Sequence, residues 1–212
     1  MKAKPVFTVL KGFLVFEGLD GAGTTTQSRI LHERMTRHGT SSMLTTEPTE
    51  TFIGKAVRHI LRNNSEVAPG TLAKLFSTDR HNHLYHRTDG IVSHLENGTI
   101  VICDRYLFSS LAYQSIDWDF DAVWDLNCGF PLPEHLFFLD VPPEESQRRI
   151  LKRDTPQEIY EKQDLQNEIR ENYFHTFTLF EHTEMKLHIL DGTLPVKELE
   201  EMVWKKVKPS DI

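Results

Sequence analysis

The chain has 212 residues and a formal net charge of −7, from 24 Lys plus Arg against 31 Asp plus Glu; 39% of it is apolar. That length suits one domain with its own core, and the acidic balance speaks against a nucleic-acid partner held by overall charge. Two cysteines, Cys103 and Cys128, are too few for a disulfide framework and lack metal-ligand spacing, so a reducing, cytoplasmic setting is expected. No apolar run approaches the roughly 18 residues that span a bilayer, and the first residues lack a signal-peptide pattern, so no membrane partner is expected.

Gly12 to Glu17, GFLVFE, reads as a short strand buried on both faces. A glycine-rich turn follows, then a helix over Thr25–Arg37 with Ile30, Leu31 and Met35 at helical spacing. Ser42–Thr46 is a second strand, and Phe52–Leu61 and Thr71–Leu95 read as helices. Thr99–Cys103, TIVIC, is the clearest buried strand, with a helix expected over Ser109–Gln114. His135–Val141 is a fourth strand, and Pro142-Pro143 suits a helix start for Glu144–Lys152. Glu161–Phe180 is helical after a polar interruption, Leu187–Leu190 is a last strand and Pro195–Val207 a last helix. Apolar strands alternating with helices predict a parallel α/β sheet. Such sheets bind ligands at the carboxyl ends of their strands, where the candidate chemistry is to be sought.

After the first strand comes Gly18-Leu19-Asp20-Gly21-Ala22-Gly23-Thr24-Thr25-Thr26. This fits the phosphate-loop pattern G-x-x-x-x-G-K-[ST] except that the lysine is Thr24. Glycines let backbone N–H groups and the next helix N-terminus face a phosphate, and Thr25 holds the position whose hydroxyl ligates Mg²⁺. Phe76 and Arg80, four apart on one helix face, pair a ring that can stack on a base with a guanidinium that can clamp a phosphate. Asp104, at the end of TIVIC, can hold Mg²⁺ through water or position an attacking phosphate, and Arg105 is the better candidate for direct phosphate contact. Of the eleven histidines, His81, His83 and His86 lack ligand spacing and read as polar helix-face residues, as do His32 and His38.

The segments FEGLDGAG (Phe16–Gly23) with TTTQ (Thr24–Gln27), FSTDR (Phe76–Arg80), DRYLFSSLAYQ (Asp104–Gln114) and ILDGTLP (Ile189–Pro195) together resemble the thymidylate kinases, phosphate-loop nucleoside monophosphate kinases. The resemblance runs from about Gly12 to Val207. It implies a three-layer α/β/α fold with a five-stranded parallel sheet and a helical lid at roughly 148–162, within a single domain 1–212. It implies ATP-dependent phosphorylation of dTMP to dTDP, ATP as co-substrate, Mg²⁺ as cofactor, small-molecule partners and a homodimer. Gly18, Gly21, Ala22, Gly23, Thr24, Thr25 and Thr26 would bind the ATP phosphates, and Asp191 with Gly192 would form the adenine-side loop. Asp20 would lie near Mg²⁺ and the 3′-hydroxyl of the acceptor, with Thr25 and Asp104 completing the metal surroundings. Phe76 would stack on thymine and Arg80 meet the 5′-phosphate or the base edge. Ser110 and Gln114 would read the base edge, Tyr113 would pack on the deoxyribose, and Glu47 would belong to the acceptor site. Arg149 and Arg153 would bring catalytic charge from the lid, because the loop position that carries an arginine in some relatives is Gly21 here.

The chain departs from the family pattern at two cations. Thr24 replaces the phosphate-loop lysine, and the usual T-R-E-P-G-G-T after the second strand is Thr45-Thr46-Glu47-Pro48-Thr49-Glu50-Thr51, with Thr46 for arginine. Lys152 and Arg153 are candidate substitutes for the missing charge, and Glu158, Tyr160 and Glu161 resemble the acidic lid stretch. The departures leave two alternatives beside a thymidylate kinase: a catalytically weak nucleotide-binding protein, and a kinase with another nucleoside or nucleotide acceptor.

Overall fold

Strand β1 (Val9–Gly18) contributes Phe13 and Val15 to one apolar core and Leu14 and Phe16 to another. The period of two does this: successive side chains leave opposite faces of the sheet. The same alternation holds in β3 (Ile100–Asp104), with Val101 and Cys103 on the first face and Ile100 and Ile102 on the second. It holds again in β4 (Leu132–Asp140), where Leu136 and Phe138 oppose Phe137 and Leu139. Each such side chain, when fully buried, contributes about 1.5–3 kcal/mol. The computed structural model describes residues 7–63, 65–152, 159–160 and 163–207. With β2 (Ser42–Thr46) and β5 (Lys186–Asp191) the strands form one five-stranded sheet of order β2-β3-β1-β4-β5, parallel throughout.

Helices α1 (Thr24–Arg37) and α9 (Val196–Val207) cover the second face through Leu31, Met35, Leu199 and Val203. The first face is covered by α2 (Phe52–Asn63), α3 (Pro69–Tyr85), α4 (Ile91–Glu96), α5 (Leu107–Tyr113), α6 (Phe120–Asn127) and α8 (Gln163–Thr178). Helix α7 (Pro143–Ile150) begins at the expected proline pair. This is the expected three-layer α/β/α arrangement.

Two helical expectations are corrected. The continuous helix over Thr71–Leu95 is broken into α3 and α4 at residues 86–90. A Cβ on Gly90 would sit 2.5 Å from the His86 carbonyl oxygen, so the chain folds back on itself where only glycine fits. The second correction is an addition: a 3₁₀ turn Gln114–Ile116 and α6 follow α5. The Asp119 side chain caps α6 by accepting from the Ala122 N–H at 3.0 Å.

Across the β4–β5 pair, His135 Nδ1 lies 2.9 Å from His188 Nε2. Burial and nearby Lys186 hold His135 down at about 4, and burial and His135 hold His188 down to about 4. Between pH 6.5 and 4 the unfolded histidines bind protons that the folded pair refuses. Stability from this pair is therefore complete above pH 6.5 and is lost as pH falls toward 4. Thermal melting of His135→Phe/His188→Phe is expected to show a flatter dependence on pH across that window than the parent protein; parallel curves would refute this.

Candidate active site

The glycine-rich loop joins β1 to α1 at the carboxyl edge of the sheet. Gly21 and Gly23 take φ of +85° and +99°, values that an L side chain opposes. A Cβ on Gly18 would lie 2.9 Å from the Leu139 carbonyl oxygen, so the loop packs against β4 only with glycine there. Helix α1 starts at Thr24 with no side-chain cap; the Thr26 N–H turns back to Gly23 O at 3.1 Å, which leaves the N–H groups of Thr24 and Thr25 to face an anion. Thr24 itself is buried.

The end of β3 supplies a carboxylate, Asp104, and a guanidinium, Arg105. Thr25 Oγ1 donates to Asp104 Oδ2, while Asp104 Oδ1 is buried with no hydrogen-bond partner. Arg105 is the one non-glycine residue with positive φ, +72°, among the described residues. That geometry costs about 1–3 kcal/mol, and it is held by the Arg105 N–H donating to Phe16 O at 2.9 Å. Its side chain donates to Asp20 Oδ1 at 2.7 Å, Gly18 O at 3.0 Å and Ser109 Oγ at 3.1 Å. The Tyr113 ring lies 5.2 Å from the guanidinium carbon.

Beneath this group sits Glu17, wholly buried. Its carboxylate accepts from the N–H groups of Tyr106 and Ser109, the Ser109 hydroxyl and the Tyr173 hydroxyl. Burial pushes Glu17 up to about 6 against the lowering pull of Arg105 and these donors. Glu17 thus pins the start of α5, and with it the turn that carries Arg105.

Farther along, α3 delivers Phe76, Asp79, Arg80 and His83. Asp79 accepts from Thr49 N–H at 2.7 Å, Thr49 Oγ1 at 2.6 Å and Thr51 Oγ1 at 3.1 Å. Thr49, which stands where the family pattern has glycine, therefore joins Thr51 in tying the Glu47–Thr51 turn to α3 through Asp79. The turn also abuts α2 so closely that a Cβ on Gly54 would lie 2.0 Å from Thr49 O. Arg80 donates to Glu47 Oε2 at 2.8 Å, Ser110 Oγ at 3.0 Å and Asn127 Oδ1. Arg80 and Glu47 are 1% and 4% exposed, so this ion pair is taken from water and is sustained by its surrounding bonds.

One cavity connects these groups. Its wall includes Asp20, Thr25 and Asp104 at the phosphate-loop end, Arg105, Ser109 and Tyr113 along the side, and Glu47, Phe76, Arg80 and Gln114 at the far end. Thr46, Pro48, Arg58, Leu61, Tyr106 and Tyr160 complete it. The sequence profile of the family described as thymidylate kinase matches residues 16–203. The chain belongs to the thymidylate kinase family. A probable thymidylate kinase of Pyrococcus abyssi is 35% identical over 206 residues, covering 92% of this chain and 95% of that protein. A probable thymidylate kinase of Methanococcus aeolicus is 33% identical over 203 residues, covering 94% and 97%. That of Thermococcus kodakarensis is 37% identical over 185 residues, covering 82% and 87%.

Of the residues that the thymidylate kinase motifs single out, Asp20, Thr25, Glu47, Phe76, Arg80, Asp104, Arg105, Tyr113 and Gln114 meet on this cavity. Ser110 does not line it; its hydroxyl accepts from Arg80 at 3.0 Å. Arg149 lies on α7, within the helix expected over Glu144–Lys152. It donates to Glu145, to Gly21 O at 3.3 Å and to Gly192 O at 3.0 Å, so it ties the phosphate loop to the turn after β5. Asp191 shapes that turn by accepting from Thr193 N–H and Oγ1. Arg153, Glu158 and Glu161 lie outside the described residues, and Lys152 is exposed just beyond α7.

Sequence reasoning missed Glu17, Arg58, Asn127 and Tyr173, and read His83 as a polar helix-face residue without a role in the site. His83 is buried, with Nδ1 3.0 Å from Glu47 Oε1 and Nε2 2.7 Å from Thr45 Oγ1. Its spacing from Arg80 held the signal: i+3 places both on one face of α3. Arg58 bonds to Pro48 O and to Glu50 at 3.1 Å, and its buried Nε has no partner.

No group of three or more His, Cys, Asp or Glu able to hold a metal occurs among the described residues. What Thr25, Asp104 and Asp20 offer is hydroxyl and carboxylate oxygen, with Asp104 Oδ1 unpartnered. Such a donor set fits Mg²⁺, which takes a few protein oxygens and fills its shell with water and phosphate. No described helix is long and apolar enough to cross a membrane.

Proposed function

We propose that the protein transfers the γ-phosphoryl group of ATP to the 5′-phosphate of dTMP, giving dTDP and ADP, with Mg²⁺ as cofactor. The observation that carries this reading is one cavity running from the phosphate loop to Phe76, Arg80 and Gln114, in a chain of the thymidylate kinase family. The acceptor phosphate is already anionic, so its oxygen attacks the γ-phosphorus while the bond to the β–γ bridging oxygen breaks. No protein nucleophile or strong base is needed; catalysis is positioning and charge neutralisation.

Gly18, Gly21, Ala22, Gly23, Thr24, Thr25 and Thr26 cradle the ATP phosphates by backbone N–H and hydroxyl groups. Arg105 binds the acceptor phosphate and Arg58 adds a second guanidinium beside it. Asp20 accepts the deoxyribose 3′-hydroxyl, and Tyr113 packs where a 2′-hydroxyl would stand. Phe76 stacks on the base, while Arg80 and Gln114 meet its edge. Thr25, Asp20 and Asp104 would hold Mg²⁺, partly through water, and the ion would supply positive charge against the phosphates of ATP. Arg149 acts from the adenine side, and Arg153 brings lid charge as the segment at roughly 148–162 closes and excludes water. A homodimer in the cytoplasm completes the reading.

ADP release is to be measured with ATP, Mg²⁺ and, in turn, dTMP, dUMP, dCMP and thymidine. Turnover highest with dTMP is expected. Turnover restricted to thymidine, or tight dTMP binding with no turnover, would refute it.

A further inference from the structure

The base-reading guanidinium is gripped from outside the cavity. Three of the five N–H groups of Arg80 are taken by Glu47, Ser110 and Asn127. The rings of Tyr106 and Phe130 flank its carbon at 5.2 and 5.7 Å. Asn127, the last residue of α6, is itself fixed: its Nδ2 donates to Val123 O at 2.7 Å, which turns Oδ1 toward Arg80. Glu47 is fixed from the other side. A carboxylate only accepts, so His83 Nδ1 donates to Oε1 while Arg80 holds Oε2, and Thr45 Oγ1 meets the far nitrogen of His83. Neither Asn127 nor His83 lines the cavity.

We infer that Asn127 and His83 are positioning residues that set the choice of a 4-oxo over a 4-amino pyrimidine by denying Arg80 any other orientation. The inference rests on the proposed acceptor site and deepens it. A guanidinium has donors and no acceptor. Held in place, it can present only N–H groups to the base edge, which suits the O4 carbonyl of thymine or uracil. The 4-amino group of cytosine is also a donor, and two facing donors in a dry site both go unpaired. A site built around such a bond rejects the mismatched analogue by up to about 10⁴–10⁵. Gln114 reinforces the choice, because its buried Oε1 has no partner and accepts from an N3–H that thymine carries and neutral cytosine lacks. Rejection at position 4 requires that Arg80 not tilt aside, and that is what the two outer residues prevent.

The test compares the parent protein with Asn127→Leu, His83→Leu and the more conservative His83→Gln. Dissociation constants for dTMP, dUMP and dCMP are measured by calorimetry, and kcat/KM for each with ATP. Both acceptors are read on one preparation, so loss of folded protein cancels in their ratio. The dTMP:dCMP preference is expected to fall at least 10-fold in both leucine variants, largely through weaker dTMP binding, and to recover in part in His83→Gln. The dTMP:dUMP ratio and KM for ATP should stay within twofold, because both of those acceptors carry O4. An unchanged dTMP:dCMP ratio in both leucine variants, or equal losses for all three acceptors, would overturn the inference. Absence of turnover in the parent protein would instead overturn the proposed reaction, and the binding ratios would still decide the role of Asn127 and His83.

Discussion

Replacing Arg105 with lysine is expected to lower kcat/KM for dTMP about 100-fold, although the charge is kept. The Arg105 guanidinium reaches Asp20, Gly18 O and Ser109 at once because its donors form a planar fork. An ammonium is a point donor on a flexible stem and cannot hold Asp20 while offering a second, parallel bond to a phosphate. Two charge-assisted bonds of about 1.5 kcal/mol each account for a loss of this size. The strained φ of +72° at this residue shows that the fold tolerates a local cost to aim this side chain. Arg105→Gly separates the two effects: it relieves the backbone and removes the guanidinium, so activity should fall at least as far as in the lysine variant while the melting temperature changes little. Steady-state kinetics and melting of the two variants check this; activity in Arg105→Lys within threefold of the parent would contradict it.

Thr24→Lys is expected to raise kcat about 100-fold. Thr24 is the first residue of α1, where the family's lysine would put its charge among the phosphate oxygens. The threonine hydroxyl is neutral. Fixed charge aimed at the transferring group is commonly the largest single term in such catalysis, and one well-placed donor is worth about 10²–10³ in kcat. A rise in kcat with little change in KM for dTMP would show that the missing charge acts in the transition state. No rise would mean that another cation already stands at that position, and Arg153→Ala would then be the variant to lose activity.

The sheet was legible because burial on both faces leaves a plain record: GFLVFE and TIVIC are nearly all apolar, and the structure divides their side chains between two cores by parity. The phosphate loop was legible because its glycines answer to backbone geometry that no other residue satisfies. What spacing did not carry is contact between distant segments. Glu47, Arg80 and Asn127 come from a turn, α3 and α6, and nothing in their separations announces a shared buried bond network. Glu17 looked like the end of a strand, yet its place at the close of an apolar run is what burial and the shifted carboxyl record. The break between α3 and α4 was hidden because Leu84, Ile91 and Leu95 keep helical spacing across it, while the deciding residue, Gly90, acts through close backbone approach. Arg149 was placed at the start of the lid by analogy, and only the folded chain brings its guanidinium to the phosphate loop's own carbonyls, Gly21 O and Ala22 O.

Direct phosphoryl transfer within one cavity is tested by following the label from γ-labelled ATP in the presence of dTMP and Mg²⁺. The label is expected in the β-phosphate of dTDP in equal amount to the ADP formed. Label released only as inorganic phosphate, or recovered in dTMP made from thymidine, would contradict it.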